Sequence, residues 1–204
     1  MPKIKFTKGE LKRQRDALRQ YERYLPTLQL KKQQLQIEIV RQNGLLAQKE
    51  AQREREVHQA MPWAALLAEG RLEPGWIVPE AVRTSVRNIA GVVIPVFESA
   101  SFAEASYDLF LEPAWLDHAL DAVRELRSLV EEIAVIRRGI GLLKKELLVT
   151  TQRVNLFEKV KIPEAKETIR RIKITLGDQM ANAVGRSKIA KRKIEAFVAA
   201  QMPV

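Results

Sequence analysis

From Leu11 to Leu46, apolar side chains recur at alternating three- and four-residue intervals: Leu11, Leu18, Tyr21, Leu25, Leu28, Leu35, Ile39 and Leu46. Gln14, Lys32 and Gln42 fill the remaining positions, so eight of eleven seam sites are apolar. This spacing lays one narrow stripe along a helix, and only a partner helix can cover it. A second stripe starts at Trp115. It runs through Leu116, Leu120, Val123, Leu126, Val130, Ile133, Ile140, Leu147, Thr151 and Val154. After a change of phase it resumes as Ile162, Ala165, Ile169, Ile172, Leu176 and Met180.

The chain therefore reads as mainly α: a long antiparallel two-helix coiled-coil hairpin with a small middle block of β-hairpin and short helix. Three segments are expected: an N-terminal coiled-coil helix over 1–61, a middle block over 62–115, and a C-terminal coiled-coil helix over 116–204. The middle block holds five of the nine prolines and all three tryptophans. Val82 to Ile89 includes polar–apolar alternation, and Gly91 to Phe97 is short and β-branched, so both read as strands. Pro95 assigns its strand to an edge. Pro26 predicts a bend in the first helix, and Pro163 a kink where the second stripe changes phase.

At 1.5 Å per residue the first helix spans about 80 Å and the second about 120 Å. Paired with their free ends together, residue 60 would face residue 146, and 117–146 would lack a partner. The hairpin carrying Val92, Val93, Ile94 and Phe97 is the material expected to cover that stretch. The two basic ends would then meet at the far tip.

The net charge is +10, and its placement matters more than its size. Residues 1–19 carry seven Lys/Arg against Glu10 and Asp16; residues 186–195 carry five against Glu195. With no cysteine, a disulfide framework and thiolate metal sites are ruled out. Charges interrupt Leu11–Leu46 at every turn, so no signal-peptide or membrane-span core is expected. No catalytic constellation is present. The only histidines, His58 and His118, read as surface helix positions, because a metal site needs at least three convergent ligands. Gly139-Ile140-Gly141 follows no strand and precedes no Gly-Lys-Ser/Thr, so it reads as helical close packing, not a phosphate loop. No cofactor is expected.

The basic tip, Lys188, Lys191, Arg192 and Lys193 with Phe197, has three readings: a solvated helix end, a plug for an acidic or polar sleeve, or a nucleic-acid patch. The stripe fades over Gln48–Gln59. That is a solvated face, or a place for an additional partner at Glu50, Arg53 and Glu54 beside Gly139 and Gly141. A nucleic-acid-binding or chaperone-like coiled coil remains the alternative class.

The run Tyr24-Leu25-Pro26-Thr27-Leu28-Gln29-Leu30-Lys31-Lys32 resembles the first helix of the D subunits of bacterial V-type ATP synthases. Arg153-Val154-Asn155-Leu156-Phe157-Glu158-Lys159, then Ile162-Pro163, Ile169, Ile172 and Leu176, is similar to the second helix of that family. Residues 186–194 resemble its basic tail. The resemblance implies a non-catalytic central-stalk rotor that carries torque between the hexamer and the membrane ring. It implies as partners the catalytic and regulatory hexamer subunits, the small F subunit of the stalk and a membrane-side funnel subunit. It implies no nucleic acid, and membrane contact only through the complex, on the cytoplasmic face.

Overall fold

The computed structural model describes residues 5–69, 71–108 and 110–201. Lys3 of the basic N-terminal run and residues 202–204 lie outside the described residues. Helix α1 spans Lys8–Ala60. Thr7 caps it, its Oγ1 accepting from the Glu10 backbone N–H at 3.2 Å. Glu10 places a carboxylate in the first turn, at the positive end of the helix dipole. The helix continues through Pro26. One turn after Glu22 loses its backbone donor to that proline, the Thr27 hydroxyl donates to the Tyr24 carbonyl at 2.8 Å. Helix α1 ends just before Met61-Pro62, and a 3₁₀ turn, Ala64–Glu69, follows. A one-turn helix, α2 (Pro74–Ile77), leads into the sheet.

Strands β1 (Pro79–Ile89) and β2 (Val92–Phe102) form a two-stranded antiparallel hairpin. Both are longer than the sequence runs that signalled them. Backbone pairing carries on past the β-branched residues, across a register shift between Arg83 and Thr84. The two turn residues both have positive φ, 50° at Ala90 and 81° at Gly91. That is the I′ geometry whose twist matches the strands. Asn88 Oδ1 accepts from the Gly91 N–H at 2.9 Å and closes the turn. Pro95 pairs with Val86. Each strand of a two-stranded sheet keeps an open edge, where a missing N–H is tolerated.

Helix α3 spans Trp115–Leu156 and helix α4 Ile162–Gln201. Between them, Phe157–Lys161 forms a wider π turn, and the Ile162 N–H reaches back five residues to the Phe157 carbonyl. This turn is the phase change seen in the sequence. It takes up one extra residue, so the stripe continues after it on sequence positions shifted by one from regular winding. Pro163 falls in the first turn of α4, where a missing N–H is least costly.

Contacts group the chain into two compact units, Leu30–Thr151 and Met1–Gln29 with Gln152–Val204. In the first, the C-terminal half of α1 lies antiparallel to α3. Leu35, Ile39, Ile94 and Leu143 form a shared core, with Leu35 and Leu143 fully buried. Lys31 pairs with Glu146 at 2.6 Å, Lys49 with Glu132 at 2.8 Å, and Glu50 with Arg137. The Arg124 guanidinium donates to the Trp76 carbonyl at 2.9 Å and the Ala103 carbonyl at 2.6 Å. It also lies 5.6 Å from the centre of the Phe102 ring. One side chain on α3 thus fastens the chain on both sides of the hairpin.

In the second unit, Tyr21 stacks on Phe157 with ring centres 5.4 Å apart, and Lys166 pairs with Glu22 at 3.4 Å. Val154, Ala165, Ile169 and Ile172 are buried. From Gly177 to Val198 every residue is exposed.

These pairs correct the expected register. Lys31 faces Glu146, where ends held together would have brought Thr175; Glu22 faces Lys166, where Val184 was expected. The end of α1 is drawn further along α3, because the hairpin sits over the α1–α3 seam through Ile94 and leaves no long unpaired start of α3 to cover. The surplus length of the second helical run falls instead at its C-terminal end. The described basic residues near Lys8 therefore lie beside Lys173–Met180, and the Arg186–Lys193 run continues beyond them.

Candidate partner-binding surfaces

The C-terminal surface is built by α4 alone. Lys188, Lys191, Arg192 and Lys193 are exposed, and Phe197 is 62% exposed. Lys191 has an intrahelical partner, Glu195, at 3.7 Å; an exposed pair of this kind holds the side chain weakly. Val184, Ile189, Ile194 and Val198 are also exposed. The last turns therefore carry both cations and apolar side chains, with no other element beside them among the described residues.

The positions expected to meet an additional partner separate. Glu50 is engaged by Arg137 across the helix pair. Gly139 is buried under the hairpin: a Cβ there would lie 3.8 Å from Ile94 Cβ and 3.8 Å from the Pro95 carbonyl oxygen. Its close approach is to the chain's own sheet, so as a site for a partner it is corrected. Gly141 is exposed, with open space where a Cβ would be. Glu54 is exposed and borders a shallow hollow with Gln48, Ala51, Arg55 and His58.

Arg53 lies elsewhere. It borders an apolar groove of about 430 Å³ whose floor is Val57, Ile77, Val123, Leu126 and Val130, with Arg127 at the rim. The sequence reading missed this groove. Val57 was visible as a remnant of the fading stripe. Its companion Ile77 belongs to α2, and no periodicity ties that one-turn helix to α3.

The hairpin residues divide by face. Val92 packs on the core and Ile94 is 2% exposed. Val93 pairs with Asn88 and Phe97 with Thr84, on the other face, alongside Val86 and Pro95. A period of two puts odd and even positions on opposite sides. The expectation that all four cover α3 is therefore corrected: Val92 and Ile94 do, whereas Val93 is 55% exposed and Phe97 half-buried.

His58 and His118 are both exposed. Among the described residues no three acidic or histidine side chains converge as a metal site, and no helix is long and apolar enough to cross a membrane.

The sequence model of the ATP synthase D-subunit family matches residues 10–192. The V-type ATP synthase D subunit of Borreliella burgdorferi is 42% identical over 194 residues, covering 95% of this chain and 96% of that relative. Its counterpart in Chlamydia trachomatis serovar L2 is 35% identical, with 94% and 96% covered. That of Chlamydia pneumoniae is 33% identical, with 94% and 93% covered. The matched stretch takes in α1, the hairpin, α3 and the π turn, so the likeness extends over every element that builds the two cores. This chain belongs to the family of ATP synthase D subunits.

Proposed function

We propose that this chain is the non-catalytic central-stalk rotor component of a V-type ATP synthase, carrying torque between the nucleotide-hydrolysing or nucleotide-synthesising hexamer and the ion-translocating membrane ring. Membership of the D-subunit family is the observation that carries the reading. The physical character of the chain supports it. A shaft must resist twisting, and paired helices tied by a packed core and by ion pairs at Lys31–Glu146 and Lys49–Glu132 resist it better than one helix. Its end must also turn against several near-equivalent surroundings. Exposed lysines and arginines form exchangeable contacts, because long flexible cations are not locked to one geometry.

In this reading Lys188, Lys191, Arg192, Lys193 and Phe197 meet the catalytic and regulatory hexamer subunits. The small F subunit of the stalk lies beside Arg53, Glu54 and Gly141, with the Val57–Val130 groove available to an apolar side chain. The funnel subunit takes the outer hairpin face at Val93 and Phe97. The chain works at the cytoplasmic face and touches the membrane only through the complex.

The test is co-purification from the native membrane, followed by neutralising Lys188, Lys191, Arg192 and Lys193 together. Recovery with the hexamer and a stoichiometric small stalk protein is expected, with assembly or torque reduced in the neutralised variant and reduced further as salt rises. A chain that purifies without those components overturns the reading.

A further inference from the structure

A second cluster of uncompensated charge lies away from the C-terminal tip. It lines a groove of about 640 Å³ between the start of α1 and α4. Lys8, Lys12, Arg15 and Arg19 recur at spacings of four, three and four, which places them on one face of α1. Lys173 faces them from α4. Among the described residues Asp16 is the only carboxylate on the lining, and none of the five cations has an ion-pair partner within 4 Å. Elsewhere α1 and its partner helices neutralise each other, as at Lys31–Glu146 with α3 and Glu22–Lys166 with α4. Here they do not. The floor is apolar: Leu11 and Leu176 are half-buried, and Met180 is 53% exposed. Gly177 opens it, with nothing within 4 Å of where a Cβ would be.

We infer that this groove is a docking site for an acidic amphipathic helix of a partner protein. Five cations around an apolar floor ask for carboxylates on the flanks of the incoming segment and aliphatic side chains along its centre. A single-stranded polynucleotide fits less well, because its bases stack on aromatic platforms and among the described residues no aromatic one lines the groove; a duplex, held through its phosphates, would leave the apolar floor uncovered. The site is separate from Lys188–Phe197 and does not depend on the rotor reading, since charge and shape in one unit of this chain carry it.

The absence of native cysteine gives a clean assay. Met180→Cys in the full chain is labelled with an environment-sensitive fluorophore. It is titrated with a designed helical peptide carrying leucines at i, i+3, i+4 and i+7 and glutamates elsewhere. Saturable binding is expected, and it should weaken at least tenfold with Lys12→Glu/Arg15→Glu/Arg19→Glu. It should also weaken when the peptide's glutamates become glutamines or its leucines become serines. The variant with Lys188, Lys191, Arg192 and Lys193 neutralised should bind as before. Circular dichroism of the triple variant checks that α1 is retained; if it is not, Lys173→Glu alone carries the test.

Three results would overturn the inference: binding indifferent to both groove variants, a DNA 20-mer binding more tightly than the peptide through the same residues, or a dimer of this chain abolished by the same reversals. A silent peptide alongside normal co-purification of the complex would remove the groove and leave the rotor reading standing.

Discussion

Ala90 is the only non-glycine among the described residues with positive φ, at 50°. An L-residue held there costs about 1–2 kcal/mol, and asparagine tolerates the region best. Ala90→Asn produces the Asn-Gly pair favoured in I′ turns. It should stabilise the Leu30–Thr151 unit by about 0.5–1 kcal/mol, read as a higher denaturant midpoint with unchanged slope. At the surface of α4, Glu167 accepts hydrogen bonds from Arg170 at 2.8 Å and Arg171 at 2.9 Å. Those bonds, Arg170 first, hold its carboxyl down to about 2. The charged form is thus preferred in the folded state. Its contribution is complete above the ordinary carboxylate range and is lost as pH falls towards about 2. Carboxyl carbon shifts followed by NMR should show this low midpoint, and Arg170→Gln should raise it. A titration near 4.5 in the parent chain would contradict the geometry.

At the scale of elements, Gly139 and the π turn make different predictions. Gly139 lets β2 approach α3, yet a Cβ there would meet Ile94 and Pro95 only at ordinary contact distance, 3.8 Å. Gly139→Ala should therefore fit and stabilise α3 by up to about 1 kcal/mol through helix propensity. Gly139→Leu should lift the hairpin, expose Ile94 and destabilise the unit by about 2 kcal/mol or more. Hydrogen exchange of the β2 amides separates the two outcomes.

The π turn takes up one residue more than a regular turn, so its five residues wind through about the arc that four give an α-helix. Deleting Val160 should restore regular winding and leave Ala165, Ile169 and Ile172, all buried, facing as before. Exchange protection over residues 162–176 should be retained; its loss would mean that the π turn does more than absorb one residue.

The same elements show what the sequence could and could not reveal. The Leu11–Leu46 stripe and the phase change before Ile162 locate the long helices and their interruption, because periodicity is a property of the chain itself. The hairpin follows from the alternation over Val82–Ile89 and the β-branched run to Phe97, although Gly91, read with that run, belongs to the turn. The register between helices did not follow. Any heptad seam covers any other of the same width, and the level at which they lock is chosen by particular contacts: Ile94 over Gly139, Lys31 on Glu146, Tyr21 on Phe157. These residues are far apart in the chain and carry no local signature. The fate of Gly139 and the split of Val93 and Phe97 from Val92 and Ile94 are consequences of that choice. Arg124 could be read only as a helix cation, although it fastens Trp76 and Ala103.

Taken as a whole molecule, the chain divides its two units unequally along the sequence. Leu30–Thr151 is continuous, whereas the other unit combines two separate stretches of the sequence, one up to Gln29 and one from Gln152. During synthesis the Leu30–Thr151 unit has all its parts while the partner of residues 8–29 has yet to be translated. At about 5–20 residues per second, the intervening stretch keeps the first turns of α1 without a mate for roughly ten seconds. A chain halted after Thr151 should protect residues 30–151 from protease and leave residues 8–29 open to cleavage; equal protection of both would argue against this order. Closure of the terminal unit thus becomes a report that translation has passed the turns of α4 at Lys173–Met180. A product stalled before them cannot close that unit, and so cannot compete with longer chains for any partner that recognises it.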